Sequence, residues 1–147
     1  MPALNAEEAQ KTHALLVDIY RNISEARYTN IRAKYTSSFD EDITRYEKVG
    51  YCIERAYKCA EDLPELDSDK DYLRIYAIHG IKAARSLSFI LWKSCCYPLV
   101  DWPSPNAHGW PDSCSEPAYA PGVWRMTLDL LDEVGAIVNA YEREVLR

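Results

Sequence analysis

Glycine is scarce in this chain, with five in 147 residues, and no Asn-Gly or Asp-Gly pair occurs. Tight hairpins draw on such pairs, so a β-rich fold with many sharp turns is disfavoured. No segment alternates apolar and polar residues with period two. No apolar run approaches the roughly 20 residues needed to span a bilayer. The opening residues, MPALNAEEAQKTHALL, carry no basic leader followed by an apolar stretch, so no secretory signal is expected. Five cysteines, with Cys95 and Cys96 adjacent, make a poor disulfide framework. These features predict a reduced, cytoplasmic protein without membrane contact.

Chemical motifs are sparse as well. None of His13, His79 or His108 follows a glutamate by three residues, as the di-metal sites of helical bundles require. Cys95, Cys96, His108 and Cys114 are zinc-type ligands. Adjacent cysteines followed by an 11-residue gap do not match the usual paired spacings. Cys95 and Cys96 are read as small apolar residues near a helix end. There is no Gly-x-Ser-x-Gly elbow and no phosphate-cradling glycine loop. Neither metal nor cofactor is expected.

What the chain does have is apolar bulk and helical periodicity. Apolar residues make up 48%, charged residues 27% and aromatics 12%, a globular balance. The length suits one domain over residues 1–147, with a core that needs no staple. The formal charge of −6 argues against nucleic acid or an anionic membrane as the main partner. The sign is uneven: residues 67–96 are net positive, and the segments on either side are net negative.

Four segments repeat apolar residues at three and four. The first runs from about Asn5 to Tyr35, with Leu16, Ile19, Ile23 and Ala26 on one face. The second follows a capping box, Ser38-Phe-Asp-Glu41, and ends at Pro64. The third starts near Ser68–Asp71 and ends by Cys96. The fourth follows Pro121-Gly122 and is marked by Trp124, Leu128, Leu131, Val134, Val138, Tyr141 and Val145. The expected fold is all-α: an up-down-up-down four-helix bundle.

The third helix shows two apolar faces. Tyr72, Leu73, Tyr76, Ala83, Leu87, Ile90 and Leu91 form the expected core stripe. A second face interleaves Ile75, Ile78, Phe89 and Trp92 with Arg74, Lys82, Arg85 and Lys93. Aromatics mixed with arginine and no acid are the composition of an interface core. After this helix comes YPLVDWPSPNAHGWPDSCSEPAYAPG, residues 97–122, with six of the eight prolines, Trp102 and Trp110. Its only charges are Asp101, Asp112 and Glu116. It is expected to be an ordered loop that folds back over the basic, aromatic face, leaving spare tryptophans for a partner.

Arg74-Ile-Tyr-Ala-Ile-His79 resembles the Arg-x4–6-His motif of HEPN ribonucleases, which are small helical bundles. The resemblance spans six residues. It implies metal-independent RNA cleavage by Arg74 and His79, with the motif paired across a dimer. The arginine would stabilise developing phosphorane charge while the histidine moves a proton.

The leading functional expectation is a small acidic protein that acts by binding another protein. Inhibitors of the anti-CRISPR kind and toxin-neutralising immunity proteins share this general look. The expected partner-binding residues are Arg74, Lys82, Arg85, Phe89, Trp92, Lys93, Trp102 and Trp110. A homodimer is compatible with the same surface. The alternatives are the HEPN-like ribonuclease and a small-molecule binder with an aromatic pocket between helices.

Overall fold

A computed structural model describes residues 4–33, 39–96 and 121–146. Among them are four α-helices and no strand: α1 (Ala6–Ala33), α2 (Phe39–Glu61), α3 (Tyr72–Cys96) and α4 (Pro121–Val145). The all-α expectation agrees with this. The loop expectation, together with Trp102, His108, Trp110 and Cys114, lies outside the described residues.

Each helix begins and ends for a local reason. The Asn5 side chain accepts a hydrogen bond from the Glu8 amide at 2.7 Å, while the Asn5 amide donates to the Glu8 carboxylate at 3.2 Å. This reciprocal box caps α1 and satisfies two amides that have no partner inside the helix. Helix α2 begins one residue after Ser38, where its capping box predicts, although Ser38 is not among the described residues. Its last turn tightens, with the amides of Asp62 and Leu63 bonding three residues back, before Pro64 blocks continuation. Residues 68–71 form a turn, and α3 proper starts at Tyr72, later than the sequence suggests. Helix α4 takes Pro121 into its first turn, where a missing N–H costs no bond.

The core runs between all four helices. Leu16, Ile19 and Ile23 of α1 meet Val49, Ile53 and Ala56 of α2, Ala77, Ile81 and Ala84 of α3, and Leu131, Val134 and Val138 of α4. A smaller cluster joins Tyr46, Leu91, Trp124 and Leu128. Helix α2 packs on α1 and α3, and α4 packs on α3 and more sparsely on α1.

Helix α3 differs from its expected orientation. Its buried line is Ala77, Ile81, Ala84, Ser88 and Leu91. Tyr72, Tyr76, Ala83 and Ile90, assigned to the core from periodicity, are exposed. The two faces seen in the sequence are mostly the flanks of the helix; the core line lies between them and shares Leu91 with the expected stripe. Three of its five positions are alanine or serine, which carry little hydrophobic weight in the periodicity. Small residues there let α3 approach its neighbours closely, and at Gly80 a Cβ would fall 2.6 Å from Val134 Cγ2. Gly135 has no such constraint, with nothing within 4 Å of its Cβ position.

Candidate functional site

Helices α2 and α3 run past each other in opposite directions, with Glu47 beside Trp92 and Glu54 beside Arg85. Each contributes residues at i, i+3, i+4 and i+7: Glu47, Gly50, Tyr51 and Glu54 from α2; Arg85, Ser88, Phe89 and Trp92 from α3. That spacing places each set on one helical stripe over two turns. Between the stripes lies an open groove of about 400 Å³.

The groove exists because small residues meet at its floor. A Cβ on Gly50 would sit 4.0 Å from Ser88 Oγ, so the two backbones face each other with no bulk between. Buried Tyr46 closes the bottom. Large rings stand on the rims: Tyr51 is 74% exposed and Phe89 56%. Phe89 and Trp92 hold each other at 5.7 Å between centroids, with planes tilted by 36°.

Two polar units mark the ends. At one, Arg85 bonds Glu54 at 2.6 Å and lies 4.8 Å over the Tyr57 ring. At the other, Trp92 Nε1–H donates to Glu47 at 3.3 Å. Among the described residues, no lysine or arginine pairs with Glu47.

Arg85, Phe89 and Trp92 therefore come together as one wall. Lys82 and Lys93 lie exposed on the same helix, outside the groove. Arg74 is elsewhere. Its guanidinium forms a two-pronged pair with Asp71, at 2.9 and 2.8 Å, and Asp71 also accepts from the Leu66 amide at 3.0 Å. Donation from Arg74 is the main reason the Asp71 carboxyl is held below its ordinary range. Arg74 thus fastens the α2–α3 connection. His79, five residues on, is exposed and sits about 140° around the helix from it.

The exposed side of α3 mixes large apolar residues with His79, Lys82, Ser86 and Lys93. Tyr72, Ile75, Tyr76, Phe89 and Ile90 are all exposed. Helix α3 carries no acidic residue, and Tyr72 and Tyr76 pack edge to face in the open.

The α2 wall lies outside the binding residues expected from the sequence. Glu47, Gly50, Tyr51 and Glu54 sit beside the core stripe of α2 and read as an ordinary solvated face. Only their spacing, matched by that of Arg85, Ser88, Phe89 and Trp92, carried the signal. Among the described residues, no group of three or more His, Cys, Asp or Glu is placed to hold a metal, and no helix is long and apolar enough to cross a membrane. The side chains of Cys95 and Cys96 lie outside the description, while Cys52 and Cys59 are free thiols whose pKa values burial pushes up.

Fold and site together define a helical bundle with an aromatic groove. Compared with known proteins, the chain matches no family model, no curated protein and no solved structure.

Proposed function

We propose that this chain works by binding another protein, as an interaction module of the inhibitor or immunity type, on an up-down-up-down bundle. One observation carries the reading: α3 presents Tyr72, Ile75, Tyr76, Phe89 and Ile90 to solvent along one acid-free helix. Scattered exposed apolar residues are ordinary on a protein surface. Five on a single acid-free helix, with Phe89 also lining the aromatic groove, are the composition of a docking face. Arg85, Phe89 and Trp92 are the anchors on this reading, with Lys82 and Lys93 contributing rim charge.

The test is affinity capture from the native host's lysate with the wild-type chain, Tyr76→Glu, Phe89→Glu and the control Tyr28→Glu on α1. A partner retained by wild type and control, and lost with both α3 variants, supports the proposal. Retention by all four chains overturns it. RNA cleavage by the purified chain that disappears with Arg74→Ala or His79→Ala would replace it with the ribonuclease reading.

A further inference from the structure

Two carboxylates of α2 face the groove seven residues apart, about 10.5 Å along the helix. Around Glu54 the protein has built a complete recognition unit from its own residues. The Arg85 guanidinium is held by the carboxylate at 2.6 Å and lies 4.8 Å over the Tyr57 ring. Around Glu47 the same parts recur without the cation. The carboxylate is present, its one described partner is the neutral Trp92 indole N–H at 3.3 Å, and the Trp92 and Phe89 rings stand beside it. An ionised carboxylate offers about four acceptor sites, so that single donor leaves most of them open. The fixed charges lining the groove are Glu47, Glu54 and Arg85. The ion pair cancels two of them and leaves one negative charge among aromatic faces.

We infer that the Glu47 end of the groove binds an arginine side chain of the partner protein, which completes there the unit that Arg85 completes at Glu54. Arginine is the fitting cation because its flat guanidinium stacks on a ring while donating in its plane to a carboxylate. The inference rests on the protein-binding reading and adds the chemistry of the partner's anchor.

The probe is the capped peptide Gly-Arg-Gly, with Gly-citrulline-Gly as its neutral isostere. The readout is the Trp92 indole N–H resonance, assigned with Trp92→Phe. The arginine peptide is expected to shift this resonance saturably in the millimolar range, with the citrulline peptide about tenfold weaker. Glu47→Gln keeps an oxygen acceptor for Trp92 but loses the charge. It is expected to weaken the arginine peptide about five- to tenfold and leave the citrulline peptide unchanged. Equal binding of the two peptides, indifference to Glu47→Gln, or no shift at all overturns the inference. If the peptides fail while Phe89→Glu still abolishes partner capture, the anchor is wrong and the interaction reading stands. If the arginine peptide binds as expected while capture ignores Phe89→Glu, the anchor stands and the surface assigned to the partner is wrong.

Discussion

Asp71 shows how one residue sets the geometry of a connection. Its carboxylate takes two bonds from Arg74 and one from the Leu66 amide, tying the segment after α2 to the first turn of α3. The sequence shows Asp71 as an acid near a helix N-terminus, and its partner Arg74 as part of a binding face. Neither role predicts that they bind each other. Because the folded state holds the Asp71 carboxyl below its ordinary value near 4, its contribution is complete above that value. It is lost as pH falls through the lower folded-state value. Asp71→Asn should therefore cost about 2 kcal/mol at neutral pH. Urea titrations from pH 7 down to 2 should also show a smaller acid-side loss in the variant than in wild type. An equal acid loss in both would remove Asp71 as its source.

At the scale of the element, α3 separates periodicity from burial. Hydrophobic periodicity locates the helix but misplaces its inward face, since large exposed side chains outweigh the alanines that are actually buried. Gly80 and Gly135 make the distinction measurable. Both lie inside helices, where alanine is favoured by about 1 kcal/mol. At Gly80 the added methyl meets Val134 Cγ2 at 2.6 Å, on a buried, β-branched side chain with little freedom to move. Overpacking of this kind costs about 1–3 kcal/mol, which exceeds the propensity gain. Gly80→Ala should thus destabilise, and Val134→Ala in the same chain should offset part of its overpacking. Gly135→Ala, with open space around it, should stabilise by about 0.5–1 kcal/mol. Thermal melts of the variants decide it, and the same sign at both glycines would contradict the packing described.

At the scale of the whole molecule, the seam between α1 and α4 joins the first helix to the last. Its contact is sparser than at the other seams, and polar bonds concentrate there. Trp124 Nε1–H donates to the Asn30 carbonyl at 2.8 Å, and the Asn30 side-chain amide donates back to the Trp124 carbonyl at 3.4 Å. Arg27 pairs with Asp132 at 2.6 Å, and the Tyr20 hydroxyl lies 2.7 Å from Asn139 and 3.0 Å from Glu142. Burial and the neighbouring Glu142 carboxylate hold the Tyr20 hydroxyl protonated well above its ordinary range. Trp124→Phe leaves a buried carbonyl near the end of α1 without its donor. It should cost about 1–3 kcal/mol in the urea unfolding free energy. A cost within error of zero would mean the clasp does not hold the seam.

The sequence by itself determined the helices and most of the core. Capping residues, prolines and apolar residues at three and four act locally, so they can be read without knowing what packs on what. That is why Leu16, Ile19, Ile23, Leu131 and Val138 read as buried from the sequence. The groove was decided only by tertiary structure. Glu47 and Trp92, or Glu54 and Arg85, are separated by 45 and 31 residues and meet only because α2 and α3 pack in one register. Close approach at that seam rests on small residues, Gly50 of α2 and Ser88 of α3, just as Gly80 admits Val134 of α4 on another side of α3. A residue that acts by leaving space carries no periodic signal of its own, so its role emerges only when the neighbouring helix is in place.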